Sequence, residues 1–349
     1  MDTKIIRTDP EHIDPAAMRE AGRILKEGGL VAFPTETVYG LGGNALDERA
    51  SGKIYAAKGR PSDNPLIVHI AETDALFQIT EEVPKKAMAM AEAFWPGPLT
   101  MIFRKNEKVP LATTGGLSSV AVRMPSHPVA LALIREGGGF VAAPSANTSG
   151  RPSPTTADHV REDLSGKIDM ILDGGPVGIG LESTIVDFTE ETPTILRPGY
   201  INREMMEKVI GPVRTDPGLI AADSTVRPKA PGMKYRHYAP KAEMTVVEGE
   251  EKAVQEKIRQ LASEKIRQGL RVGIIATDES APFYPEGIVK SIGARSCEES
   301  IARHLYSVLR EFDQCGADCI FSEAFDTPQM GRAIMNRLLK AAGHHKIQA

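Results

Sequence analysis

Apolar positions along the chain follow two rhythms. Between Asp14 and Gly28, the residues Ala17, Met18, Ala21, Ile24 and Leu25 recur at the helical period. Asp14 is placed to cap that helix, Pro15 suits its first position, and Gly28 stands just past its end. Short apolar runs follow at 30–33, 65–70, 99–103, 120–124, 140–143, 170–173, 183–188 and 193–197, each of strand length. Helical stretches at 84–94 and 128–138 fall between them. The pattern predicts a layered, mixed α/β domain over residues 1–211.

Residues 212–240 break both rhythms. Four prolines lie between Pro217 and Pro240, which is the composition of a linker. The last nine residues, "GMKYRHYAP", pack two tyrosines, a histidine and two cations, so the segment could equally cap a site. Strand–helix alternation then restarts. Apolar runs at 243–249, 271–277, 287–293 and 317–325 are separated by helical stretches, and a closing helix covers 331–342. Residues 241–349 therefore read as a small, Rossmann-like, doubly wound parallel domain. No internal repeat or low-complexity tract interrupts this organisation.

A length of 349 residues also suggests two domains, at about 150 residues each. Charged residues make up 25% and the formal net charge is −4, so the chain has no global attraction to nucleic acid or anionic membrane. Contact with phosphate must come from a local cluster of cations. No apolar run approaches the roughly 18 residues of a membrane span, and the first residues lack a signal-peptide core, so a cytoplasmic protein is expected. Cys297, Cys315 and Cys319 are too few for a disulfide framework and complete no zinc pattern; they read as reduced, buried thiols.

Familiar nucleotide signatures fail on context. Gly178-Ile179-Gly180 precedes a strand where a dinucleotide fingerprint needs a helix, and both Ser-Gly-Lys sequences lack P-loop spacing. There is no Gly-x-Ser-x-Gly elbow and no HExxH helix. What remains is polar residues at strand ends, where open α/β sheets bind ligands. "PTETVYGLGG" follows the first run, and "KGRPSDNPLIVHI" begins with Lys58 and Arg60 and carries His69 near its end. Alone, that Lys-Gly-Arg turn reads as a solvated helix end, and the histidine as a satisfied core residue. Together with Arg123, Arg197 and many hydroxyls, they suit a triphosphate and a small polar molecule.

The stretches "FPTETVYGLG", "KGRPSDNPLIVHI", "VAVRMPSHP", "APSANTSGRPSPT" and "GLESTIVD" with "ILRPG" occur in that order and resemble the YrdC-type domain of threonylcarbamoyl-AMP synthases. "APGMKYRHYAP" followed by a small α/β domain resembles the two-domain members of that family. The resemblance implies a YrdC-type twisted mixed sheet with helices, joined by a linker to the C-terminal domain. It also implies a nucleotidyltransferase that makes threonylcarbamoyl-AMP and pyrophosphate from L-threonine, bicarbonate and ATP, for tRNA threonylcarbamoyladenosine modification.

By the same resemblance, Lys58 and Arg60 would neutralise the ATP phosphates during transfer. Asn64, Ser119, Ser145, Asn147, Ser153 and Arg197 would complete the nucleotide set, with Tyr235, Arg236 and His237 as a lid. Thr37, His69, Arg123 and Ser183, with backbone near Ala143, would hold threonine. Mg2+ is expected as the phosphate counter-ion, with few protein ligands of its own. Implied partners are threonylcarbamoyl-transferase proteins downstream, with weak or indirect tRNA contact.

Two rival readings stand beside this one. An RNA-binding module is opposed by the acidic charge and the lack of stacking aromatic motifs. A carbamoyl-phosphate-dependent carbamoyltransferase is opposed by the absence of Cys-rich zinc segments and an acylphosphatase-like portion.

Overall fold

A computed structural model describes residues 2–217, 237–325 and 329–349. The chain forms two compact units. The first comprises Met1–Ser149, Ser153–Gly178 and Glu182–Lys234; the second comprises Gly150–Pro152, Ile179–Leu181 and Tyr235–Ala349. Most of the segment expected to be a linker, including Tyr235 and Arg236, lies outside the described residues.

In the first unit the described strands are β1 (Lys4–Arg7), β2 (Val31–Phe33), β3 (Gly40–Asn44), β4 (Ile67–His69), β5 (Leu99–Arg104), β6 (Ser119–Arg123), β7 (Val141–Ala142), β8 (Met170–Asp173), β9 (Thr184–Asp187), β10 (Thr194–Arg197) and β11 (Arg214–Thr215). They form one mixed sheet in the order β1-β8-β2-β3-β7-β4-β6-β5-β9-β10-β11. The helices are α1 (Pro15–Lys26), α2 (Glu48–Lys58), α3 (Lys85–Phe94), α4 (Pro128–Glu136), α5 (Ala157–Leu164) and α6 (Arg203–Ile210).

Strand alternation sends successive side chains to opposite faces, and residues paired across strands share a face. One face carries Ala32, Val68, Met101, Val122, Ala142, Ile171 and Val186 into the main core. The other divides in two. Over β8, β2 and β7, Met170, Leu172, Val31, Phe33 and Val141 pack with buried side chains of α1 and α4. Over β4, β6, β5, β9 and β10, the apolar cluster consists of Ile67, Ala121, Ile102, Ile185 and Leu196, all from strands or their immediate register. The candidate site lies on this second half.

The caps of α1 form as expected: the Asp14 carboxylate accepts from Ala16 N, Pro15 begins the helix, and Gly28 takes φ 78°. Apolar periodicity did not reveal β3, whose sequence is "GLGGN" and which reads as a polar loop. Glycine is a poor strand former, yet here close approach demands it. A Cβ on Gly42 would lie 2.9 Å from Val141 Cγ1 and 3.0 Å from Phe33 Cε1. Neither α2 nor the short strands β1 and β11 stand out in the sequence: α2 buries Ser51 and Lys58 on its apolar face, and the two strands are only four and two residues long.

The second unit holds β12 (Glu243–Glu248), α7 (Glu251–Arg267), β13 (Val272–Ala276), β14 (Ile288–Ser291), α8 (Glu298–Cys315), β15 (Cys319–Glu323), α9 (Gly331–Ala341) and β16 (Lys346–Gln348). All its strand pairs are parallel, in the order β14-β13-β15-β12-β16. The expected buried thiols are not found. Cys297 and Cys315 are exposed and Cys319 is half-buried. Cys297 caps α8 and Cys315 is its last residue, positions off the buried stripe that runs through Ile301, Leu305, Leu309 and Phe312.

Candidate active site

Register aligns a row of side chains across one face of the first sheet. Val141 pairs with His69, His69 with Arg123, Arg123 with Thr100, Thr100 with Ile185, and Ile185 with Arg197. His69, Arg123 and Arg197 are each about 4% exposed, and Thr100 is fully buried. Polar groups of this kind are buried only with partners or for a ligand.

At one end, the turn after β2 wraps the Arg123 guanidinium. Thr35 Oγ1 donates to Val38 O at 2.6 Å and lies 2.9 Å from Thr37 Oγ1, which fixes the turn. Arg123 Nη1 donates to Thr37 Oγ1 at 2.9 Å. Glu36 Oε1 comes within 2.8 Å of Arg123 Nη2, yet the groups are misaligned. Glu36 Oε1, Arg123 Nε and Arg123 Nη2 are all buried without a hydrogen-bond partner. Distance alone would count this as a satisfied ion pair; direction shows that it is not, and directional donors decide what the guanidinium can still bind.

His69 lies edge-on to Phe33, with ring centroids 6.1 Å apart, and its Nδ1 is 3.1 Å from Ile67 O. Burial, reinforced by the Arg123 charge, lowers its pKa to about 3. The imidazole is therefore neutral. Farther along the row, Thr100 Oγ1 and Ser183 Oγ are 2.7 Å apart. Arg197 Nη2 donates to Ser183 Oγ at 3.1 Å and its Nε to Ser183 O at 3.0 Å. Ser119 opens β6, four residues from Arg123 and so on the same face, with Ala121 between them.

A second group gathers at the loop after β7. Ala143 N donates to Ile67 O, Leu41 N to Pro144 O, and Ala146 N to Tyr39 O, which lays residues 143–146 against β3 and β4. Lys58 ends α2 beside the left-handed Gly59 and is 1% exposed, so it is no solvated helix end. Its Nζ donates to Ser145 O and Asn147 O at 2.5 Å each. Ser145 Oγ donates to Asn147 Oδ1, also at 2.5 Å. Arg60 Nε and Nη2 hold the carbonyls of Asn64 and Pro65 at 3.1 and 3.0 Å. Asn64 is 1% exposed, and its Oδ1 has no hydrogen-bond partner. The loop carrying Gly115 packs on this turn: a Cβ there would meet Asp63 O at 3.0 Å, and its φ is 61°.

Ser153 Oγ donates to Glu182 Oε1 at 2.6 Å, and both residues are buried. His237 belongs to the second unit, where its ring stacks at a tilt on Tyr238, 5.5 Å between centroids. Periodicity and the resemblance did not single out Thr35, Glu36, Thr100 or Glu182. Thr100 had left a signal, a hydroxyl alone inside the apolar run "LTMIF".

A family model described as "Telomere recombination" matches residues 23–199, and one for the threonylcarbamoyl-AMP synthase C-terminal domain matches residues 201–343. The chain is 49% identical over 342 residues to the threonylcarbamoyl-AMP synthase of Bacillus subtilis, covering 98% of this chain and 97% of that protein. It is 49% identical over 341 residues to that of Pyrococcus abyssi, covering 97% of each. The crystal structure of P. abyssi Sua5 complexed with L-threonine superposes with a TM-score of 0.94 at 48% identity, covering 99% of this chain and all of that one. Both halves of the chain, matched in order and nearly end to end, belong to the threonylcarbamoyl-AMP synthase family.

Proposed function

We propose that this chain is an L-threonylcarbamoyladenylate synthase acting on L-threonine, bicarbonate and ATP. The amine of threonine and bicarbonate combine with loss of water to give a carbamate. A carbamate oxygen then attacks the α-phosphorus, and the bond to the bridging oxygen breaks to release pyrophosphate. Such a transfer needs positioning and charge stabilisation more than a protein nucleophile.

The observation that carries the reading is the buried edge of Arg123. Its Nε and Nη2 lack hydrogen-bond partners and lie in register with a neutral His69. A planar carboxylate satisfies two such donors at once. Arg123 and Thr37 thus take the threonine carboxylate, with His69, Ser183 and the backbone at Ala143 around the rest of the molecule. The strand cluster of Ile67, Ala121, Ile102, Ile185 and Leu196 gives an apolar floor beside the row.

Lys58 and Arg60 act at the phosphates together with the loop they hold. Lys58 spends two N–H bonds on the carbonyls of Ser145 and Asn147, so its charge comes with the placement of those residues. Asn64, Ser119, Ser153 and Arg197 complete the nucleotide set. Bound with the triphosphate as its counter-ion, Mg2+ would lower the charge that the transfer must disperse. Among the described residues no group of three or more His, Cys, Asp or Glu side chains could hold a metal. No described helix is long and apolar enough to cross a membrane.

Pyrophosphate release by the purified protein with ATP and Mg2+ tests the reading, with L-threonine and bicarbonate omitted in turn. Release should require both. Release indifferent to threonine would overturn it, and salt-dependent tRNA binding without ATP consumption would move an RNA-binding role to first place.

A further inference from the structure

We propose that Glu36 is a specificity-determining residue that accepts the α-ammonium group of the amino-acid substrate while Arg123 takes its carboxylate. This inference rests on the threonine-site reading above and extends it to a residue that neither sequence motif nor pairing register singled out. Glu36 lies in the turn between β2 and β3, next to Thr37. Its Oε2 accepts from Ser126 N at 3.2 Å, which anchors the carboxylate to the chain just before α4. Its Oε1 is buried, has no hydrogen-bond donor, and lies 2.8 Å from Arg123 Nη2, an ion-pair contact in which neither atom makes a hydrogen bond.

The mismatch is informative because each group is compensated in charge but not in direction. Two guanidinium N–H groups lack an acceptor, and the adjacent carboxylate oxygen lacks a donor. Leaving buried polar groups in that state is costly, and a ligand that supplies both complements at once removes the cost on both sides. An α-amino acid does so, since its carboxylate and ammonium are held two bonds apart on one carbon. Charge gives the same answer. Arg123 and Glu36 together are neutral, and the neighbouring His69 is uncharged, so a zwitterion keeps the buried site neutral. A carboxylic acid without the amine would leave one uncompensated negative charge. His127, whose pKa burial holds below its usual value, adds no cation to change that balance.

The test is calorimetric binding to the full chain of L-threonine and of 3-hydroxybutyrate, which keeps the carboxylate and hydroxyl but lacks the amine. In the parent protein threonine should bind more tightly. Glu36→Gln should weaken threonine by roughly 10–100-fold, the scale of one hydrogen bond to a charged group. It should leave 3-hydroxybutyrate unchanged or slightly tighter. Glu36→Asp, which keeps the charge, should recover part of the loss and serves as the second variant if the amide does not fold. Equal weakening of both ligands would mean that Glu36 only orients Arg123, and would overturn the proposal. Failure of the parent to bind threonine would instead sink the threonine-site reading, and this inference with it.

Discussion

Each unit of the chain sets an arginine beside a carboxylate, and the two carboxylates are satisfied differently, although Arg295 is only half-buried and its Nε, like that of Arg123, makes no hydrogen bond. In the second unit Glu323, at the end of β15, is 1% exposed and both its oxygens are hydrogen-bonded. Tyr284 Oη donates to Oε1 at 2.7 Å, and Arg295 Nη2 donates to Oε2. Arg295 also lies over the Phe325 ring, 5.7 Å from its centroid. Burial, and then the Glu323 charge, push the Tyr284 hydroxyl well above its usual pKa, so it remains a donor. In the first unit, Glu36 and Arg123 are as close as a salt bridge requires, but three of their atoms are unsatisfied. A carboxylate saturated by its own fold contributes to stability and has nothing left for a ligand. An unsaturated pair contributes less to stability and retains directional capacity for binding. Proximity does not separate the two cases; hydrogen-bond direction does.

The sharpest way to break this contrast is Arg123→Ala. Losing the charged donors that take the substrate carboxylate costs about 2–5 kcal/mol of binding, so kcat/KM for threonine should fall by roughly 10²–10³-fold. Arg123→Lys should recover little, because an ammonium cannot replace a fork of two donors. Near-normal turnover in either variant would remove Arg123 from the site. Lys58→Ala should cost about 3–4 kcal/mol of transition-state stabilisation, read mainly in kcat from steady-state pyrophosphate release. An unchanged kcat would confine Lys58 to loop support.

On the other side of the contrast, Glu323→Gln should act on stability. It leaves Arg295 and Tyr284 mismatched and should cost about 2 kcal/mol, visible as a Tm lowered by several degrees. Turnover per folded molecule should stay within twofold of the parent; a large loss of turnover at unchanged Tm would refute the structural role.

A last effect concerns pH. His69 has its pKa lowered to about 3 in the fold, against 6.5 ordinarily. The unfolded chain therefore takes up a proton that the folded chain refuses. Its contribution to stability is full above about 6.5 and is lost as pH falls from there towards 3, by at most about 1.4 kcal/mol per pH unit. Urea unfolding of His69→Asn from pH 7 to 4.5 should show a shallower decline than the parent. Parallel declines would show that His69 does not carry the effect.

The strands β2, β5, β8 and β10 were legible as short, nearly unbroken apolar runs, and the helices α1, α7 and α8 by apolar residues spaced at the helical period. The ordered motifs likewise bring Lys58, Arg60, His69 and Arg123 forward from the sequence. β3 was illegible for a definite reason. Its glycines carry no period, and their use appears only when Val141 and Phe33 come within 3.0 Å of where a Cβ would stand. The cysteines erred the other way, since a residue type usually buried here sits at the ends of α8.

What the sequence determined by itself is the alternation of elements, the division into two α/β regions and the identity of the cationic and hydroxyl groups. Local propensity, periodicity and residue chemistry act over a few positions and can be read there. That His69, Arg123, Thr100 and Arg197 form one row came from the fold, because β4 and β10 lie far along the chain from the neighbouring strands β5 and β6, and all four are aligned by register. The tertiary structure alone distinguished the saturated Glu323 from the unsaturated Glu36. Charge is a property of the residue, whereas hydrogen-bond direction depends on where the rest of the fold places it.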